Sequence, residues 1–151
     1  MSQVTQDNLE LVVFGFGKEE FGVSTLYVHE IIRITEITSV PNVPEFISGV
    51  INLRGEIIPV VNLKECFGMD SFEVEADSMR IVVVEANQLV VGFVVDSVSE
   101  VIKISQDVVE PPPGVLSAID TDYITGVAKL ENRLLALLDI EALLNYLENQ
   151  K

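Results

Sequence analysis

Residues 12–32, "VVFGFGKEEFGVSTLYVHEII", lie without a gap over residues 82–102, "VVVEANQLVVGFVVDSVSEVI", at a constant offset of 70. Gly22 falls on Gly92, Val28 on Val98, Glu30 on Glu100 and Ile32 on Ile102. Further along, "GVINLRGEIIPVVNLKECF" (49–67) lies over "GVAKLENRLLALLDIEALL" (126–144) at an offset of 77, matching Gly49 to Gly126, Val50 to Val127, Leu53 to Leu130 and Leu63 to Ile140. The offset grows by seven because the second copy has a longer middle, "ISQDVVEPPPGVLSAIDTD", in which residues 111–114 read as a loop. Two collinear matches, each sharing a glycine, describe a duplicated unit, and the fold must be one that can be built twice.

Each copy carries five short β-rich runs, at 9–16, 20–25, 31–37, 49–54 and 57–62, then at 79–86, 89–96, 98–104, 123–130 and 133–139. Gly17 marks a turn between the first two. A flat sheet of such strands leaves both edges open, so closure into a small barrel is expected. The chain thus reads as all-β (mainly β), with one five-stranded barrel in residues 1–72 and another in 73–151. Exchange of a strand between the copies stays open. "NLKECFG" reads as a short helical turn, and "DIEALLNYLENQ", with Leu143, Leu144 and Leu147 on one face, as a terminal helix.

Several function classes are disfavoured. The longest apolar runs, 57–61 and 134–138, are far below the ~18 residues of a membrane span. The polar start "MSQVTQDNLE" and the single Cys66 suit the cytoplasm. A net charge of −15 repels phosphate backbones and anionic lipid, so neither nucleic acid nor direct membrane insertion is expected. His29 and Cys66 are each alone of their kind, which supplies no zinc set and no Cys/His dyad, and His29 in "LYVHEII" reads as a surface residue on a helical turn. "GFGKEEFG" lacks the Gly-Lys-Ser/Thr order of a phosphate loop, and no G-x-S-x-G elbow occurs. We expect no catalytic residue, no metal and no cofactor. A small β-barrel enzyme or ligand carrier is the alternative, and it requires a concave pocket that the sequence does not locate.

The hairpin in "GVINLRGEIIPVVNL" raises a separate question. Its turn is Arg54-Gly55, against Glu131-Asn132 in the second copy. Gly and Asn tolerate positive φ, so the turn is expected to need Gly55 and Asn132 and not Arg54. Arg54 is then either a solvated residue or a partner contact. Pro59 cannot donate a ladder hydrogen bond, which suggests that its strand runs along an edge.

"LVVFGFGKEEFGVSTLYVHEII", "ITSVPNVPEFISGVINLRGEIIPVVNL", "VVGFVVDSVSEVI" and "YITGVAKLENRLLALLDIEALL" closely resemble the CheW-like chemotaxis coupling proteins, over nearly the whole chain. The resemblance implies a pair of five-stranded SH3-like barrels. It implies a non-enzymatic adapter joining the cytoplasmic tips of methyl-accepting chemoreceptors to the regulatory domain of the chemotaxis sensor histidine kinase. The nearest alternative is the same role in a non-motility signalling array. Carried across residue by residue, Val28, Glu30, Gly49, Asn52 and Arg54 look like receptor-side positions, and Ile57 like part of an apolar kinase-facing surface. Many relatives have aspartate and arginine where this chain has Asn62 and Lys64, which puts a salt link there in doubt. Glu30 is shared with Glu100 and so has a fold-serving reading, whereas Arg54 is unshared and is the stronger functional candidate.

Overall fold

The computed structural model describes residues 8–16, 19–67, 76–111 and 123–149. The turn at Gly17 and residues 112–114 of the second-half loop lie outside the described residues. Strands β1 (Asn8–Phe16), β2 (Glu19–Ser24), β3 (Val28–Arg33), β4 (Ile47–Leu53) and β5 (Glu56–Asn62) lead into a short helix, α1 (Leu63–Phe67). Then come β6 (Arg80–Ala86), β7 (Leu89–Val95), β8 (Ser97–Ser105), a two-residue β9 (Val109–Glu110), β10 (Ile124–Lys129), β11 (Leu134–Leu138) and α2 (Ile140–Glu148).

The strands assemble as β8-β1-β2-β11-β10-β9 and β3-β6-β7-β5-β4. Each sheet therefore takes its first two repeat strands from one half and the remaining ones from the other. The sheets thus cut across the two halves expected at 1–72 and 73–151, by the exchange that the sequence left open. Chain geometry explains why. Only Asp96 separates β7 from β8. A hairpin needs at least two turn residues between paired strands. After β7 the chain therefore runs straight on into the other sheet.

Closure of each sheet also follows the repeat. Past β3, Thr38 and Val50 exchange backbone hydrogen bonds of 2.9 Å in both directions, laying the β3 chain against the β4 edge. In the other sheet β9, which follows β8, pairs Glu110 with Val127, the repeat partner of Val50. Gly22 faces Val13 and Leu137, and Gly92 faces Val83 and Val60, which are the offset-related neighbours. The bulges correspond as well, between Val13 and Phe14 against β8 and between Val28 and Glu30 against β6. The two sheets are thus one SH3-like barrel built twice.

Alternation along the strands sorts the core into three parts. Leu11, Val13, Leu135 and Leu137 fill one barrel, and Ile51, Ile58, Val60, Ile81 and Val83 fill the other. Residues on the opposite face, including Phe14, Phe16, Phe21, Val82 and Phe93, meet Leu143, Leu144 and Leu147 of α2 in a larger cluster that joins the barrels. Its phenylalanine rings sit 5.4–5.8 Å apart in stacked and edge-on pairs, and each fully buried side chain of this size contributes about 1.5–3 kcal/mol. Both helices are capped by repeat partners. The Asn62 carboxamide oxygen accepts from the Lys64 amide at 3.0 Å, and the Asp139 carboxylate from the Ala142 amide at 3.1 Å.

Three local expectations need correction. The third strand starts at Val28 and not at 31, so His29 lies on a strand, where it faces Glu85 of β6 at 3.5 Å, and not on a helical turn. Pro59 is not on an edge, because β5 sits between β7 and β4. Val50, opposite Pro59, gives both its backbone bonds to Thr38, so this β4–β5 pair is of the non-hydrogen-bonded kind and the missing donor costs nothing. Parallel pairing with β7 begins one residue later, at Val60.

Candidate docking surface

The β4–β5 turn is a type I′ turn, and it requires more of Arg54 than expected. Both central residues are left-handed, Arg54 at φ 52° and Gly55 at φ 91°. Asn52 stabilises the turn, its side-chain oxygen accepting from the Gly55 amide at 2.9 Å. The second copy solves the same junction differently. Its loop spans 130–133, closed by the Leu130 amide donating to the Arg133 carbonyl at 2.9 Å, and Asn132 is not among the residues with positive φ. The expectation that Asn132 takes the left-handed place does not hold, because a four-residue loop replaces the tight turn.

From this tip the Arg54 guanidinium reaches back to β3 and donates to both carboxylate oxygens of Glu30. The arginine side chain is 68% exposed and the glutamate 25%. The bulge after Val28 displaces Glu30 in the β3–β6 register. Val28 itself packs against the inter-barrel core. Ile57 lies opposite Asn52 in the β4–β5 pair and is 64% exposed. Arg54 and His29 also line a depression of about 320 Å³ shared with Glu56 and Glu85. Glu30, Asn52, Arg54 and Ile57 therefore belong to one end of one barrel.

Gly49 is different. It is buried at φ 150°, and a β-carbon there would stand 2.2 Å from the Thr38 carbonyl oxygen. The glycine lets the returning chain close the barrel, as its repeat partner Gly126 does against Glu110.

The Arg54–Glu30 pair also has an echo that the gapless overlay hides. Arg133 donates to Glu100, the partner of Glu30, at 2.5 Å, and approaches Glu20 at 3.7 Å. Overlay places Arg133 on Glu56, two positions from Arg54. A hairpin arginine clasping the β3- or β8-strand glutamate thus recurs in both barrels, and Arg54 is less solitary than the sequence suggests. Its signal was present as an arginine near each hairpin, obscured by the two-residue shift. Two further ties escaped the sequence reading. Lys64 of α1 binds the buried Asp96, with Nζ and Oδ1 2.8 Å apart. At the corresponding corner, the Tyr27 hydroxyl donates to Glu141 of α2 at 3.0 Å. Lys64 and Glu141 are related by the 77-residue offset.

Hydrogen bonding from Arg54 holds the Glu30 carboxyl below the ordinary glutamate range; desolvation opposes it, and the charges of the same guanidinium and of His29 add to the lowering. The folded-state value is depressed, so the pair's stabilisation is present above the unfolded value and lost as pH falls through the folded one. A carboxyl NMR titration should find Glu30 titrating below ordinary glutamates and returning to them in Arg54→Gln. Ordinary titration in the parent chain would mean that the pair does not form in solution.

Among the described residues no group of three or more His, Cys, Asp or Glu is placed to hold a metal ion, and no helix there is long and apolar enough to cross a membrane. The fold and surface define a twin-barrel scaffold whose open chemistry is that of docking. The CheW-like domain matches residues 10–148, and the chain belongs to that family. It is 38% identical over 136 residues to the chemotaxis protein CheW of Klebsiella aerogenes, covering 90% of this chain and 81% of that one. It is 36% identical over 143 residues to the chemotaxis protein CheW of Helicobacter pylori, covering 92% and 85%. The crystal structure of the scaffolding protein TtCheW from Thermoanaerobacter tengcongensis superposes with a TM-score of 0.82 at 38% identity, covering 91% of this chain and 88% of that one.

Proposed function

We propose that this chain is a chemotaxis adapter that acts in the cytoplasm, joining the cytoplasmic tips of methyl-accepting chemoreceptors to the regulatory domain of the sensor histidine kinase, without catalysis of its own. Val28, Glu30, Asn52 and Arg54 form the receptor side, Gly49 shapes the strand that carries them, and Ile57 begins the apolar kinase side. The observation that carries this reading is the position of Arg54. An exposed turn residue at φ 52° is best filled by Asn or Gly, yet an arginine stands there with its planar fork aligned on a carboxylate. Such a fork can exchange Glu30 for a carboxylate on a partner.

Reversing the charge in Arg54→Glu removes one exposed ion pair, which moves stability little, and the melting temperature should shift by no more than about 2 °C. Affinity for a receptor-tip fragment should fall roughly thirtyfold, the scale of an interface hot spot. An unchanged melt with unchanged binding makes Arg54 a solvated turn residue and removes it from the site.

A further inference from the structure

Loop residues 40–44, strands β4, β5 and β7 and the last turn of α2 surround a second cavity, of about 370 Å³. None of the docking residues described above lines it. Its walls are apolar, with Val43, Phe46, Val50, Leu89 and Leu147 prominent, and the polar groups among its lining residues are those of Asn42 and Glu148. A volume within ~300–1,000 Å³, apolar walls and few polar groups are the features of a small-molecule site. The loop is held in shape by Pro41 and Pro44 around a left-handed Asn42 at φ 63°.

Charge at the mouth selects the occupant. Glu148 is exposed there, on the carboxyl end of a nine-residue helix whose last turn holds no basic residue. Several carbonyls of that turn converge on one donor, the Asn149 amide. The helix dipole adds negative potential at this end, and exposed Glu45 sits in the chain between wall residues Pro44 and Phe46. No cation is among the described residues lining the cavity. An acid would be repelled here, and a cationic head group adds a charge attraction that a neutral one lacks. We infer that this cavity binds small amphiphilic amines, with the apolar body between the loop and α2 and the ammonium group against Glu148 and the end of the helix.

The test titrates the full chain at pH 7 with octylamine, octanol and octanoate, following the methyl resonances of Val43, Val50, Leu89 and Leu147. Saturable shifts confined to these residues are expected, with octylamine about tenfold tighter than octanoate. Glu148→Gln should shrink that preference to about threefold or less, and Leu89→Trp, which fills the cavity, should abolish binding of all three. Val43→Trp at the mouth serves as a second filling variant should Leu89→Trp not fold. Equal affinity for the three probes overturns the proposal, as do shifts that never saturate or amine binding that survives both Glu148→Gln and cavity filling. Binding of a basic amphipathic peptide at these residues without octylamine binding would also overturn it and assign the cavity to a protein partner.

Discussion

Gly49→Ala should unfold or severely destabilise the protein, by about 4 kcal/mol or more, the range reserved for backbone clashes and core disruption. The added β-carbon would lie 2.2 Å from the carbonyl oxygen and 2.8 Å from the carbonyl carbon of Thr38, which are backbone atoms and cannot swing aside. The position is also at φ 150°, which side-chain-bearing residues rarely adopt. Relieving the clash would separate Thr38 from Val50 and open the barrel seam. Gly55→Ala is the control, because Gly55 is left-handed too but has no atom within 4 Å of the added carbon, so its cost is conformational alone, about 1 kcal/mol. Thermal melts of the two variants should differ by roughly 10 °C. The consequence for function is specific: any Gly49 variant that fails to bind a receptor fragment should already fail to melt cooperatively. A Gly49→Ala protein that melts like the parent yet loses binding would restore Gly49 as a direct contact.

The second large effect is expected at Lys64 and Asp96, whose side chains are only 13% and 8% exposed. Asp96 is the buried charged residue of the described chain and the single residue between β7 and β8, where the chain passes from one sheet to the other. Its amide donates to the Gly15 carbonyl at 2.9 Å and its carbonyl accepts from the Ser78 hydroxyl at 3.1 Å, so the node touches β1, β7, β8 and, through Lys64, α1. Lys64→Ala removes the cation that the buried Asp96 carboxylate faces, at a cost of about 3 kcal/mol. The double replacement Lys64→Met with Asp96→Leu removes both charges and should recover much of that loss, since apolar substitutes of similar volume often match a buried pair. Urea unfolding of the single and double variants measures this directly. Equal midpoints for the parent and Lys64→Ala would show that water already screens the pair.

What the sequence discloses and what it hides divide along physical lines. Duplication was legible because glycine spacing and β-alternation survive at constant offset, and the strands observed follow the predicted runs closely except at β3, expected at 31–37 and found at Val28–Arg33, and at β9, which no expected run covers. Strand exchange was legible in principle, since only Asp96 stands between Val95 and Ser97, but reading it requires asking what a one-residue connection can do. Arg54–Glu30 was within reach as a pair. Arg133–Glu100 was not, because the arginine of the second hairpin stands at the position of Glu56, two residues from that of Arg54, and side-chain reach absorbs the difference. Lys64–Asp96 links residues 32 positions apart in the chain through two different elements, and neither neighbourhood carries a pattern that marks them as partners. Residues that repeat proved a guide to the fold; residues that fail to repeat were a poorer guide to function, since chemistry can recur where identity at a given offset does not.

Adapter function requires that both partners be held at once. The direct measurement is a titration of the full chain, saturated with the kinase regulatory domain, against a receptor-tip fragment, following the mass of the complex and the affinity of each ligand. If receptor contacts centre on Arg54 and Glu30 and the kinase surface on Ile57, as proposed, a ternary complex is expected, with Arg54→Glu weakening chiefly the receptor fragment and Ile57→Glu chiefly the kinase domain. Complete displacement of one ligand by the other, or loss of both on either single substitution, would contradict the account.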